Sequence, residues 1–492
     1  MATKQGKQKE ARQPLSSYSI LFIIIFIVGF VTIVCSFFNP SVTAASLPDI
    51  LDSSVEGLID AAEIAFFLLI LGGCLGIVTK VGALSAGIRA LVHRMKGHEL
   101  LLIPIIMAIF ALLGSSYGFC EETVPFYALL SLTMVAAGFD TMVAVGTVLL
   151  GAGVGCLGAT VNPFANGVAI DMLKQSGVDV NPGNTIILGF ILLIVTYAIA
   201  VFFVMSYARK VKADKGSTIL SLQEQKAMED AFGAKAQAGA ADTKDAAMTG
   251  VQKVTLALFG LAFLVMIIGF IPWQNFGINI FALGGVWDGQ QWTTLPWSAW
   301  ITGAPLGEWY FKDASVWFLL MSVIIGVVAR FSENKLVNTW IDGAADMVGV
   351  ALIVGLARAI AILMESTHLD QMLLSNASQL LEGSSALVFA PVSYLIFLGL
   401  SFIITSSSAL ATLSMPIMGS LAASLNFSPD VVVMLFVGAN GLANLFSPTA
   451  AFLPGLMMAK VEYSTWLKWA VIPIVVIGIA SIVILTIAMM IM

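Results

Sequence analysis

Apolar runs of about twenty residues recur along this chain, and each is long enough to cross the hydrocarbon core of a bilayer as a helix. The first, "YSILFIIIFIVGFVTIVCSFF" at 18–38, sets the pattern. Hydrophobic residues make up 59% of the 492 positions and charged residues 11%, too few charges to coat a soluble protein of this size. The chain therefore reads as an all-α polytopic membrane protein. The first run is expected to be retained as a span rather than cleaved. Cys35, Cys74, Cys120 and Cys156 lie in or beside apolar segments without metal-ligand spacing, and no disulfide is expected.

Basic residues orient the loops. Lys4, Lys7, Lys9 and Arg12 precede the first run and put the tail 1–17 on the cytoplasmic side. Spans are drawn at 18–38, 61–79, 141–171 (broken), 184–207, 253–271, 315–331, 341–364, 430–459 (broken) and 466–491. Segments 99–138 and 386–425 are drawn as hairpins that enter and return on one side. All of the 23 Lys and Arg residues then fall inside except Lys174, Lys312 and the membrane-embedded Arg358. The stretch 208–252 reads as a cytoplasmic linker, 253–271 as a linking span, and the Trp-rich 272–314 as an extracytoplasmic cap at headgroup level. Lys80, Arg89, His93, Arg94 and Lys96 read as an interfacial amphipathic helix, with His93 and His98 at the surface.

The order of motifs repeats. "GSSYGFCEETVPFYALL" from Gly114 is answered by "ITSSSALATLSMPIMGSLA" from Ile404, each with hydroxyl residues ahead of a proline. "LLGAGVGCLGATVNPFANG" (149–167) is answered by "FVGANGLANLFSPTAAFLPG" (436–455), each with a polar residue before proline. Upstream, 69–88 parallels 352–373. Residues 18–207 and 315–492 thus read as two repeats, which the odd crossing at 253–271 gives opposite orientations. Inverted repeats characterise secondary transporters. Each repeat brings a hydroxyl-rich hairpin tip and a Pro/Gly-broken helix to the membrane middle, where irregular backbone is tolerated only beside protein or a wet cavity. The candidates for binding substrate or ion are Ser115, Ser116, Thr123, Asn162 and Asn166 from the first repeat. From the second they are Ser406, Ser407, Ser408, Thr412, Asn440, Asn444, Ser447 and Thr449. Any one of these hydroxyls alone reads as helix packing; the two matched clusters read as a site, with Na⁺ near Ser116, Asn162, Ser407 and Ser447 as one occupant.

"ILGGCLGIVTKVGALSAGI", "EETVPFYALL" and "VLLGAGVG…NPFA" resemble the YfcC-like branch of the C4-dicarboxylate anaerobic carrier family, within the ion transporter superfamily. The paired tips and broken helices are more distantly similar to divalent anion/sodium symporters, whose Ser-Asn-Thr tip motif is replaced here by "SSY" (115–117) and "SSS" (406–408). The resemblance implies a homodimer in the bacterial cell membrane, with a fixed scaffold and an elevator-type transport domain that holds both hairpins.

Glu121 and Glu122 are costly inside a membrane and are functional candidates for that reason. Three roles compete: binding a cationic substrate, carrying a coupled proton, or capping the helix that starts at Pro125. Arg358 either holds a substrate carboxylate or is neutralised by Glu121, Glu122 or Glu63. Glu63, Asp140, Asp342 and Asp346 read as boundary or scaffold residues. One buried cation against two buried acids suits a zwitterion with a basic side chain better than a dianion. The branch includes proteins assigned as arginine/ornithine exchangers. The expectation is a basic amino-acid transporter working by exchange or by Na⁺- or H⁺-coupled uptake. A C4-dicarboxylate carrier is the alternative. There is no catalytic triad, zinc motif or phosphate loop, so no enzyme, cofactor or nucleic-acid partner is expected.

Overall fold

The computed structural model describes residues 17–84, 86–87, 90, 98–120, 123–233, 248–271, 273–276, 278–287, 292–404, 406–450 and 453–492. It is almost entirely helical, apart from a two-stranded antiparallel sheet. Among the described residues, nine helices are long and apolar enough to cross a bilayer. The chain is an integral membrane protein.

The first half opens with α1 (Ser17–Ser36), α2 (Leu47–Asp60) and α3 (Ala62–Lys80). α2 was not drawn from the sequence, because its fourteen residues mix acids with apolar positions. Its start is built by a reciprocal cap between Ser46 and Asp49, with Pro48 in the first turn. Ile50, Ser53 and Gly57 form its one buried stripe, at the three- and four-residue spacing of a helix face. α4 (Leu102–Tyr117) and α5 (Val124–Ala136) fill the segment drawn as the first hairpin. The thirteen residues of α5 reach about 20 Å, short of a bilayer core. α6 (Thr141–Leu157) is buried at every position, and its glycines and alanines let α4 lie against its backbone. A Cβ on Gly155 would collide with the Ala111 carbonyl. A single π-type turn at Pro163–Gly167 leads into α7 (Val168–Gln175), and α8 (Pro182–Ala213) closes this half.

The linker contributes α9 (Leu222–Met228) and leads to α10 (Gly250–Phe270). The Trp-rich segment folds as short turns around β1 (Val286–Trp287) and β2 (Trp292–Thr294). Trp297 and Trp309 donate their indole N–H groups to main-chain carbonyls of the same segment, and Trp273 donates to the Ile268 carbonyl near the end of α10.

The second half comprises α11 (Phe311–Val328), α12 (Glu333–Ala345), α13 (Val348–Ser366), α14 (Leu369–Gln379), α15 (Ala386–Ile403) and α16 (Ser407–Ser424) in the segment drawn as the second hairpin, then α17 (Pro429–Ala443), α18 (Leu453–Met458) and α19 (Tyr463–Ile491). The segment drawn as one span at 341–364 is two helices, with α12 ending where α13 begins. α2 crosses α13 through Gly57, whose added Cβ would lie 2.5 Å from the Gly355 carbonyl. α12 crosses α3 in the same way, with a Gly72 Cβ 2.6 Å from the Gly343 carbonyl.

Carboxylates fix the directions of the two central helices. Asp140 caps α6 and accepts hydrogen bonds from Tyr207, near the end of α8, and from Thr218 beyond it, both at 2.6 Å. Asp430, in the first turn of α17, accepts from the Asn181 amide (2.8 Å) and Asn184 (2.7 Å) at the start of α8. α8 has 32 residues, about 48 Å of helix. α6 and α17 therefore enter from opposite ends and run antiparallel. They meet where a Cβ on Gly441 would sit 2.5 Å from the Leu157 amide. Glu224 of the linker is 3% exposed and ties α9 to the start of α19 through the Glu462 amide and the Thr465 hydroxyl.

The helices sort into two groups. α1–α3 pack with α11–α13, whereas α4–α8 pack with α15–α19. Contacts between the groups are sparse, and the candidate site lies between them.

Candidate functional site

The site begins where the buried helices stop. α6 ends at Leu157 and leaves carbonyls without helical partners. Ser115, on the last turn of α4, donates to the Gly158 carbonyl at 2.8 Å, and its own carbonyl accepts the Thr160 amide at 2.9 Å. Asn162 turns its side-chain oxygen back onto the Phe164 and Ala165 amides. Asn166 donates to the Ala159 carbonyl, and its side-chain oxygen is buried with no hydrogen-bond partner among the described residues.

The second half solves the same problem with the parts exchanged. Beyond α17, Ser447 and Thr449 both donate to the Phe402 carbonyl, at 3.1 and 3.0 Å. Asn440 reaches Ser401 at 3.3 Å. Trp466 and Tyr463 satisfy the carbonyls of Leu445 and Phe446. Ser115 and Thr160 are 45 residues apart, and so are Phe402 and Ser447. In each half the hairpin tip is thus sewn to the helix break at the same chain distance.

A cavity of about 160 Å³ lies where these parts converge. One wall comes from the α4–α8 and α15–α19 group: Gly118, Cys120, Cys156, Asn162 and Phe164, then Ser406, Ser407, Ser408, Asn440, Asn444 and Thr449. The other comes from α3, α11 and α13: Ile64, Phe311, Ile353, Val354, Ala357 and Arg358. Gly118 ends α4 with φ +84°, and a Cβ there would press on the side-chain nitrogen of Asn162 at 2.7 Å. Ser406 caps α16 by accepting the Ala409 amide, so the positive end of that helix opens onto the cavity. Arg358 pairs through Nε with Asp60 at 3.4 Å, across from the end of α2. The arrangement offers amide, hydroxyl and guanidinium donors to a carboxylate, and amide and carbonyl oxygens to a cationic or ammonium group.

The structure thus brings Asn162, Arg358, Ser406, Ser407, Ser408, Asn440, Asn444 and Thr449 to one cavity. Ser115, Asn166 and Ser447 are buried behind it and hold its walls. Ser116 bonds back to the Leu113 carbonyl, Thr123 to that of Cys120, and Thr412 to that of Ser408. None of these three lines the cavity. Pairing the tips by proline puts Ser116 opposite Ser406, but the geometry does not follow it: Pro125 is in the first turn of α5, whereas Pro416 lies inside α16. Glu121 and Glu122 lie outside the described residues, as do Arg89, His93, Arg94 and Lys96. Among the described residues Arg358 pairs with Asp60 at the end of α2, and not with Glu63. Cys120 and Cys156, which the sequence places in or beside apolar segments, both face the cavity.

A membrane-embedded bundle with a polar cavity between two helix groups has the form of a carrier. Residues 39–490 match the model of the DcuC family, described as the C4-dicarboxylate anaerobic carrier, and the chain belongs to that family. It is a membrane transporter of this type. It is 28% identical over 425 residues to an uncharacterized protein of Haemophilus influenzae, covering 86% of this chain and 74% of that one. It is 25% identical over 447 residues to the Escherichia coli K12 protein named "Putative basic amino acid antiporter YfcC", covering 87% and 78%. Among solved structures it is similar to Neisseria gonorrhoeae MtrF, at 15% identity and TM-score 0.45, covering 98% of this chain and 96% of that one. It is also similar to the Alcanivorax borkumensis YdaH transporter, at 16% identity and TM-score 0.43, covering 95% and 97%.

Proposed function

We propose that this protein is a secondary active transporter of the bacterial cell membrane that carries an amino acid with a basic side chain. It works by exchange or by Na⁺- or H⁺-coupled uptake. The observation that carries the reading is the single cavity in which the breaks after α6 and α17, the α16 tip and Arg358 converge. The substrate carboxylate lies toward the positive end of α16 and Arg358. The cationic side chain lies toward the first tip, where Glu121 and Glu122 follow Cys120 in the chain. The name of the E. coli relative points to the same class of substrate.

The two halves act as inverted repeats in an elevator. α1–α3 and α11–α13 form the scaffold, and α4–α8 with α15–α19 move against it. The sparse packing between the groups, the antiparallel α6 and α17, and the cavity at the boundary all support this motion. The protein works as a homodimer with its N-terminus in the cytoplasm.

A second reading is a C4-dicarboxylate carrier. Arg358 and the α16 end favour it, since both are suited to carboxylates, and the family's description agrees. Purified protein in liposomes, offered labelled arginine, ornithine, lysine, succinate and fumarate, separates the two. Saturable counterflow of arginine or ornithine is expected. Counterflow of succinate or fumarate, with arginine ignored, overturns the first reading in favour of the second.

A further inference from the structure

Two thiols face each other in the cavity wall. The Sγ atoms of Cys120, on the first hairpin tip, and Cys156, on the last turn of α6, are 3.3 Å apart. They are 36 residues apart in the chain, and neither is in a disulfide. Cys35 and Cys74 lie on α1 and α3, and neither lines this cavity. Two thiols in near contact are a poor use of a binding wall if they serve only as filler. They are well placed for a two-electron reaction, because the second sulfur is already held beside the first.

We propose that Cys120 and Cys156 are an oxidisable pair that a small peroxide converts to a disulfide, closing the carrier. One thiolate attacks a peroxide oxygen, giving a sulfenic acid and a molecule of water. The second thiolate attacks that sulfur and displaces hydroxide, which leaves as water. The two thiols lose two protons and two electrons, and hydrogen peroxide becomes two waters. A disulfide bond is about 2.0 Å long, so the sulfurs approach by roughly 1.3 Å. The first tip is then stapled to α6 beside Gly118 and Asn162, and Glu121 and Glu122 follow the stapled residue. A tip that must adjust as substrate enters is held in one position. Reduction by a dithiol restores it. The effect on transport rests on the carrier reading above; the bond itself does not.

The test uses the full-length protein in liposomes, treated with hydrogen peroxide and then with dithiothreitol. Peptide mapping without reduction reads the bond: the 120–156 pair should appear as one linked species, lighter than the two thiol peptides by the mass of two hydrogen atoms. Uptake, taken as a ratio to each protein's own untreated rate, should fall to a small fraction in the wild type and in the C35S/C74S variant, and should return on reduction. In C120S and C156S the ratio should not fall. Substrate in the cavity should slow formation of the bond. Absence of the 120–156 species, or a wild-type loss of uptake equal to that of C120S, overturns the proposal. A fully formed bond with undiminished uptake overturns the switch. A mapped bond in a protein that carries none of the tested substrates supports the thiol pair and counts against the substrate reading alone.

Discussion

At the scale of single residues, charge decides between substrates. Arg358 meets Asp60 through one contact at 3.4 Å, and the Asp60 side chain is about half exposed (52%). A pair of that kind contributes little, roughly 0–1 kcal/mol. Asp60→Asn should therefore change transport less than tenfold, and a larger loss in liposome uptake would mean that Asp60 itself binds substrate. Arg358→Gln should lower uptake of any carboxylate substrate by one to two orders of magnitude, as loss of a charge-assisted bond of roughly 1.5–3 kcal/mol requires. Folded yield should hold, because Arg358 is partly exposed rather than sealed in the core. Glu121→Gln and Glu122→Gln separate the three roles open to that pair. Selective loss of arginine over neutral amino acids marks a binding carboxylate. Loss of concentrative uptake with exchange spared marks a proton carrier. Near wild-type behaviour in both assays marks a helix cap.

At the scale of elements, glycine sets how closely helices approach. Gly155 and Gly114 bring α6 and α4 into backbone contact: an added Cβ on either would strike a carbonyl oxygen of the facing helix. Neither backbone can yield as a flexible side chain would. Gly155→Val should lower the melting temperature in detergent and reduce the yield of monodisperse protein, since overpacking costs about 1–3 kcal/mol or more. Gly260 on α10 has nothing within 4 Å of its added Cβ. Gly260→Ala should leave the melting temperature unchanged or raise it, because alanine favours helix by up to about 1 kcal/mol over glycine. Equal effects from the two substitutions would count against the close packing of α4 on α6.

At the scale of the whole molecule, the antiparallel course of α6 and α17 makes the topology testable. Lys215 is exposed beside Thr218, at the end where Asp140 caps α6. Ser424 is exposed near the start of α17, at the other end. In a background with the four native cysteines replaced by serine, Lys215→Cys should react with an impermeant maleimide only from the cytoplasmic face and Ser424→Cys only from the outer face. Reaction of both from one face would refute the inverted arrangement.

The sequence by itself determined the class of the protein and named most of the polar residues that line its candidate site. Spans follow from apolar length, which depends only on local composition. The helix breaks follow from Asn162-Pro163 and Ser447-Pro448, because proline and glycine punctuate a helix wherever they fall. Asn162, Asn444 and Thr449 reach the cavity for that reason, and Ser406, Ser407 and Ser408 reach it at the start of α16: polar residues at an interruption in apolar helix have few other places to go. Other features were decided only by tertiary packing. The fourteen-residue α2 gains its place from Gly57 against α13, a contact between residues 298 positions apart (Gly57 to Gly355), which no local pattern encodes. The Arg358–Asp60 pair and the meeting of Cys120 with Cys156 depend on the same kind of distant approach. Periodicity records which face of a helix is apolar; which helix covers that face is settled by the shapes of both surfaces once the chain has folded.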